Sequence, residues 1–139
     1  LLAQQIDAVV EDIGVDAVKI GMLHGPDIVR VVAEAIDRHR LNRVVLDPVM
    51  VATSGDRLIA EETVAVLVSD LFPRATVITP NLDEAELLLG HTIGGIPALE
   101  GAARELQALG AQGVLLKGGH LKGDEVVDLL LQGEHAPLR

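Results

Sequence analysis

The sequence has 139 residues, of which 49% are hydrophobic and 23% charged, and its formal net charge is −10. These values are typical of one folded domain with a sizeable core. The absence of cysteine excludes disulfides and thiolate chemistry. A single aromatic residue and the lack of a Lys/Arg cluster argue against nucleic acid as a partner. No apolar run reaches the length of a membrane span, so we expect no membrane partner and a cytoplasmic location.

The chain begins with Leu1 and has neither an initiator Met nor the basic start of a signal peptide. We therefore expect it to begin inside a larger open reading frame, or to have been trimmed or only partly supplied.

In chain order, apolar residues at helical spacing predict a helix over 1–13, and an apolar run predicts a strand over 17–22. Pro26 and Asp27 open a second predicted helix that runs to about residue 40, with Pro at a tolerated first-turn position. A strand over 43–46 follows, and then a loop of small and polar residues over 48–57.

The second half of the chain continues the alternation of helices and strands. We predict helices over 61–71, 82–89 and 97–109, and strands over 76–79, 114–116 and 125–131. The strands are continuously apolar, which indicates burial on both faces. The fold class predicted is α/β, with three αβα layers around a mostly parallel central sheet.

Chemically capable residues end four of the predicted strands, where a parallel α/β sheet binds ligands: Gly21-Met22 ends the first, and polar residues end the other three. Asp47 ends the second strand, and the loop after it contains Thr53, Ser54 and Asp56. The hydroxyls can donate to phosphate oxygens, although loops of this composition are usually only solvated. An Asp-Pro pair is also ordinary turn chemistry, so Asp47 alone could be a cap.

Asn81 and Glu84 lie three residues apart, on one face of the first turn of a predicted helix. The free N–H groups of that turn favour an anion. A carboxylate beside phosphates needs a cation between them, and Mg²⁺ bound by Asp47 and Glu84, through water, would meet that need. The alternative is structural: Asn81 caps the helix and Glu84 complements its dipole.

Lys117 ends the fourth strand and is followed by two glycines. A Lys at this position needs a partner for its charge. A phosphate would serve, and so would Asp47 or Glu84 in a structural ion pair.

Four segments, 18–23, 44–56, 77–86 and 114–121, closely resemble the hydroxymethylpyrimidine/phosphomethylpyrimidine kinase family of thiamine biosynthesis, a member of the ribokinase-like superfamily. The resemblance covers nearly the whole chain. The run Asp-Pro-Val-Met-Val-Ala-Thr-Ser-Gly-Asp from Asp47 to Asp56 resembles the pyrimidine kinases rather than the sugar kinases.

The resemblance implies ATP-dependent phosphorylation of 4-amino-5-hydroxymethyl-2-methylpyrimidine and of its monophosphate. Met22 and Val49 would line the pyrimidine pocket, and Asp47 and Glu84 would organise Mg²⁺. The residues implied to bind ATP and its phosphates are Asp47, Thr53, Ser54, Asp56, Thr79, Asn81 and Lys117.

The family also has an N-terminal Gly/Ser-rich substrate segment and a C-terminal anion hole that carries the catalytic base, and neither motif occurs in this sequence. We expect a single ribokinase-like domain over 1–139 that lacks these two segments. We also expect the isolated chain to be a poor catalyst and to leave sheet edges and apolar faces uncovered. The alternatives are a pyridoxal-type vitamin kinase and a non-enzymatic nucleotide-binding fragment. Vitamin kinases that resemble this sequence are commonly dimers, so the resemblance implies a homodimer.

Overall fold

A single five-stranded sheet forms the centre of the computed structural model, which describes residues 1–50, 52, 54, 56–119 and 124–139. Its strands are β1 (Val18–Ile20), β2 (Val44–Leu46), β3 (Val77–Ile78), β4 (Gly113–Leu116) and β5 (Leu129–Gln132). Their spatial order equals their chain order. The first four strands are parallel, and β5 pairs antiparallel with β4. This confirms the mostly parallel α/β sheet that the sequence predicts.

Five α-helices connect and cover the strands: α1 (Leu2–Asp12), α2 (Pro26–Arg38), α3 (Glu61–Val66), α4 (Leu82–Leu89) and α5 (Leu99–Ala108). Helix α2 contacts both α1 and α3, whereas α4 contacts α5, which packs on β4 and β5. Two helical groups therefore enclose the sheet in the predicted three layers. None of the helices in the described residues has the length and apolarity to cross a membrane.

The predicted helix over 61–71 changes its winding near its end. After Val66 the chain forms a π-helical turn over Leu67–Leu71 and a 3₁₀ turn over Phe72–Arg74. Pro73 has no N–H to continue an α-helix. Arg74 instead donates from Nη1 to the carbonyl oxygen of Asp70 at 2.6 Å, which satisfies one of the orphan groups at the helix end.

The core is aliphatic and lies on both faces of the sheet. The aromatic side chain of Phe72 is fully buried and packs within this core. The other buried side chains come from strands and helices alike, among them Val44, Leu46, Ile78, Val114, Leu116, Val29, Ile36, Leu99 and Leu106. Burial on both faces explains why the strands lack alternation of polar and apolar residues.

β1 forms one edge of the five-stranded sheet and is hydrogen-bonded to β2 and the residues beside it. Val18 N donates to Arg43 O at 2.8 Å, and Ile20 O accepts from Asp47 N at 2.9 Å. An apolar groove of about 540 Å³ lies beside this edge, between α1, α2 and β1. Apolar side chains of this chain are thus open to solvent along the groove.

An ion-pair cluster holds α1 on α2. Oδ1 of Asp7 accepts from Arg38 Nη2 at 2.6 Å and lies 2.6 Å from His39 Nε2. Hydrogen bonds from Arg38 and then from His39 lower the pKa of Asp7. Helix α1 contributes no fully buried residue, so these polar contacts add to those of its half-buried apolar residues, such as Ile6 and Val10.

We predict that His91 stabilises the connection between α4 and α5 at acidic pH. Its Nδ1 lies 3.0 Å from Thr92 O, and its Nε2 lies 2.7 Å from Glu105 Oε2. Both contacts favour the imidazolium and raise the pKa of His91, the Thr92 carbonyl first and the Glu105 carboxylate second. A raised folded-state pKa gives stability that is complete below the unfolded value and is lost as pH rises through the folded value.

The unfolding temperatures of wild type and His91→Gln should therefore differ more at about pH 5.5 than at about pH 8.5. His135→Gln is the matched control, because in the described residues the His135 side chain has no ion pair or hydrogen bond. An equal difference at both pH values would contradict the prediction.

Candidate metal and phosphate site

The carboxyl ends of the four parallel strands meet at one edge of the sheet. Met22 follows β1, Asp47 follows β2, Thr79 follows β3 and Lys117 follows β4. This edge is the one at which open α/β sheets bind ligands. Parallel pairing thus brings the residues selected from the sequence to one side of the molecule.

Asp47 and Lys117 form the closest pair of charges at this edge. Nζ of Lys117 lies 3.7 Å from Oδ1 of Asp47, and the two side chains are 40% and 24% exposed. This distance is within the range of an ion pair but is longer than a hydrogen bond. Oδ1 of Asp47 is buried and has no hydrogen-bond partner among the described residues. A buried carboxylate oxygen without a donor is costly, so the site favours a cation or a bound water at this point.

Glu84 is held in a buried position by two backbone N–H groups. Its Oε1 accepts from Asn81 N at 3.0 Å, while Asn81 Oδ1 accepts from Glu84 N at 2.8 Å. This reciprocal pair is a capping box at the start of α4. The second oxygen, Oε2, accepts from Met50 N at 3.4 Å and so ties the loop after β2 to α4. The structural role considered for Asn81 and Glu84 is therefore present in the molecule.

The environment of Glu84 disfavours its negative charge. Burial raises the pKa of Glu84, and the Asp47 carboxylate raises it further, while the N–H groups of Asn81 and Met50 and the Lys117 ammonium act in the opposite direction. Glu84 is only 3% exposed. Two carboxylates with one ammonium leave this edge with excess negative charge, which a cation would balance.

The donor set fits a magnesium ion that keeps part of its water shell. Within the described residues no three His, Asp or Glu side chains are grouped to hold a metal. Asp47 and Glu84 offer two carboxylates, and Mg²⁺ in proteins commonly takes one or two carboxylates plus waters and phosphate oxygens. The orphaned Oδ1 of Asp47 is the atom best placed to serve such an ion or its water.

The loop after β2 folds back on itself. Ala52 N donates to Asp56 O at 2.8 Å, and Leu58 N donates to Met50 O at 2.7 Å. At the exposed tip, Ser54 Oγ donates to Asp56 Oδ2 at 2.9 Å. Thr53, also predicted to contact nucleotide, lies outside the described residues. In the described part of this loop, Ser54 and Asp56 contact each other rather than Asp47 or Lys117.

The remaining predicted residues take half-buried positions at the same edge. Thr79 N donates to Leu46 O at 3.0 Å, which continues the β2–β3 pairing. Asn81 forms an isolated parallel bridge with Lys117. Met22 and Val49 follow neighbouring strands, and both are half-buried. Their roles toward a pyrimidine stay predictions.

Two contacts at this edge were not anticipated from the sequence. One is the Met50 N–H bond to Glu84, which no sequence signal indicates because it joins distant segments. The other is Asp128, whose Oδ1 accepts from Gly118 N at 3.0 Å. The signal for Asp128 was available, since it is the single acid inside the apolar run 126–131. It also explains why β5 begins at Leu129 rather than at 125: the Asp128 side chain, not its backbone, bonds the neighbouring segment.

Comparison with known proteins identifies the family. The phosphomethylpyrimidine kinase family matches residues 1–137. The hydroxymethylpyrimidine/phosphomethylpyrimidine kinase of Bacillus subtilis is 49% identical over 133 residues, which cover 95% of this chain and 49% of that protein.

Solved structures agree with this match. The phosphomethylpyrimidine kinase of Clostridium difficile superposes with a TM-score of 0.89 at 39% identity, covering 99% of this chain and 58% of that one. An ADP complex of Bacillus subtilis pyridoxal kinase gives a TM-score of 0.85 at 40% identity, covering 97% of this chain and 52% of that one.

The fold therefore belongs to the structural class that these two vitamin kinases share. More particularly, the chain belongs to the phosphomethylpyrimidine kinase family. It spans about half the length of the curated relative that it matches.

We predict that Asn81→Ala lowers the free energy of unfolding by about 1 kcal/mol, because it removes the side-chain acceptor of the capping box. Urea unfolding measures this change. Asn42→Ala is the matched control, since the Asn42 side chain is exposed and only its backbone carbonyl accepts a bond, from Thr76. Equal stability of Asn81→Ala and wild type would show that the capping box does not support α4.

Proposed function

We propose that this chain forms the metal- and phosphate-binding part of an ATP-dependent kinase. Its substrates would be 4-amino-5-hydroxymethyl-2-methylpyrimidine and its monophosphate, in the biosynthesis of thiamine diphosphate. Family membership supports the class of reaction, and the solved ADP complex of a similar kinase supports the nucleotide.

One observation carries the proposal: at the strand ends, the buried Oδ1 of Asp47 has no hydrogen-bond donor among the described residues and lies 3.7 Å from the Lys117 ammonium. This distance is longer than a charge-assisted hydrogen bond between an ammonium and a carboxylate. The buried carboxylate of Glu84 lies at the same edge. Carboxylates and an ammonium that are not closed on each other can bind a ligand that carries both a cation and an anion. Mg·ATP is such a ligand.

Phosphoryl transfer depends on positioning and charge neutralisation more than on covalent chemistry. In the proposed site, Lys117 binds phosphate oxygens, and Thr79 and Asn81 line the phosphate region. Asp47 and Glu84 hold Mg²⁺, Glu84 through water. The bound ion would supply neutralisation of the phosphate charge. Ser54 and Asp56, with Thr53, would lie beside the nucleotide, and Met22 and Val49 beside the pyrimidine.

The complete activity is proposed for a polypeptide of the relatives' length that contains these 139 residues, called the extended chain below. The apolar groove beside β1 and the half-length match to relatives support this part of the proposal. The substrate-closing segment and the catalytic base would lie in the additional residues. A homodimer and a cytoplasmic location are further expectations for the extended chain.

The function is tested by phosphoryl transfer from Mg·ATP, with hydroxymethylpyrimidine, its monophosphate and pyridoxal compared side by side. We expect the extended chain to phosphorylate both pyrimidines, and the 139-residue chain to have little or no activity. Failure of the extended chain on both pyrimidines would refute the proposed substrate class.

Pyridoxal is the second candidate substrate, because a pyridoxal kinase is 40% identical and superposes closely. The run from Asp47 to Asp56, typical of pyrimidine kinases, argues for the pyrimidine. A higher kcat/KM for pyridoxal than for either pyrimidine in the same assay would reverse this preference.

We predict that Asp47→Ala and Glu84→Gln each reduce turnover of the extended chain at limiting Mg²⁺, by about tenfold to a hundredfold. Each change removes a carboxylate from the proposed metal site. Steady-state rates over a range of Mg²⁺ concentrations measure the effect. Glu11→Ala, an exposed acid on α1, is the matched control and should leave the rates unchanged. Normal rates for both site variants at limiting Mg²⁺ would refute the assigned roles.

We predict that Met22→Ala raises the KM for the pyrimidine by about tenfold, because it removes apolar contact area from the proposed pocket. The KM for ATP should be unchanged. Val126→Ala, an apolar truncation at a largely exposed position, is the control. If the pyrimidine KM of Met22→Ala equals that of wild type, Met22 does not belong to the pocket.

A further inference from the structure

Asp128 lies where the β4–β5 ladder ends, next to the proposed phosphate site. The last paired residues of the ladder are Leu116 and Leu129. Lys117 directly follows Leu116, and Asp128 directly precedes Leu129. The acid thus lies immediately before the first residue of β5.

The Asp128 side chain replaces a backbone partner at this point. Its Oδ1 accepts from the N–H of Gly118 at 3.0 Å. Gly118 is buried, so its N–H requires an acceptor. On the other side of the same segment, Lys117 N donates to Pro80 O at 3.0 Å. The backbone at Lys117 and Gly118 is therefore held by the segment that follows β3 and by the residue that precedes β5.

This double attachment bears directly on where the Lys117 ammonium can lie. The Lys117 side chain is a flexible four-carbon stem, 40% exposed, and its Nζ is 3.7 Å from Asp47. A flexible stem reaches a defined point only if its backbone is fixed. Release of the Gly118 N–H would let the Lys117–Gly118 peptide rotate and would widen the range of positions of Nζ.

We propose that Asp128 is a positioning residue that fixes the Lys117–Gly118 backbone and thereby aims the Lys117 ammonium at the phosphates of a bound nucleotide. The proposal rests on the proposed function. Asp128 acts through a single hydrogen bond as an acceptor, so its charge is not required and it does not touch the nucleotide.

The test measures the affinity of the extended chain for Mg·ADP by titration calorimetry, together with amide hydrogen exchange at Gly118. Asp128→Ala should weaken Mg·ADP binding by about fivefold or more and speed exchange at Gly118, because the acceptor is lost. Asp128→Asn should bind within about twofold of wild type, since its amide oxygen accepts the same N–H. Glu125→Ala, an exposed acid on the same segment, should match wild type.

Repeating the Asp128→Ala measurement in a Lys117→Ala variant separates a positioning role of Asp128 from general stabilisation of the fold. In Lys117→Ala, the ammonium is already absent, so adding Asp128→Ala should cause no further loss of Mg·ADP affinity. A further loss of the same size would show that Asp128 supports the fold only, and would overturn the proposal. Wild-type affinity in Asp128→Ala would overturn it as well.

Two remaining outcomes are also decisive. If Asp128→Ala does not fold, weak binding by a folded Asp128→Asn would overturn the acceptor role, and wild-type binding would support it. If the wild-type extended chain does not bind Mg·ADP, the proposed function itself fails. That result differs from one in which the wild type binds Mg·ADP and the Asp128 variants bind it equally well, which would overturn only the role of Asp128.

Discussion

Parallel pairing of β1 to β4 is the constraint on which the rest of this structure depends. Because these strands run in one direction, each chain segment that leaves a strand does so at the same edge of the sheet. Residues separated by as many as 70 positions in sequence, such as Asp47 and Lys117, are thereby brought within 3.7 Å. The helices cover the faces, which leaves this edge for polar side chains.

The same residues stabilise the fold and form the candidate site. Asn81 and Glu84 complete a capping box at the start of α4, and Glu84 also accepts from Met50 N in the loop after β2. A residue that is fixed by two backbone donors keeps one orientation, which is a condition for organising a metal ion and phosphates. The structural and functional interpretations of Asn81 and Glu84 are therefore compatible rather than exclusive.

Charge explains the character of the site within an acidic chain. Asp47 is near Lys117, but its buried Oδ1 has no hydrogen-bond donor in the part of the chain that the structure describes, and burial disfavours the charge of Glu84. Such an arrangement costs stability unless a ligand balances it. The proposed ligand, Mg²⁺ together with nucleotide phosphates, would supply both charges that this arrangement lacks.

The sequence by itself determined the α/β class, the order of helices and strands, and the family, which four motifs indicate. It also determined both ends of α4, which Asn81 caps at its start and Gly90 closes in the left-handed conformation. These features are local: each depends on spacing, capping or contiguous side chains. The tertiary structure alone decided the 3.7 Å approach of Lys117 to Asp47, the π-helical turn before Phe72 and the start of β5 at Leu129. It also decided the hydrogen bonds from Met50 N to Glu84 and from Gly118 N to Asp128. Each of these arises from contacts between distant segments, because sheet register and packing, rather than local propensity, determine which side chain meets which backbone group.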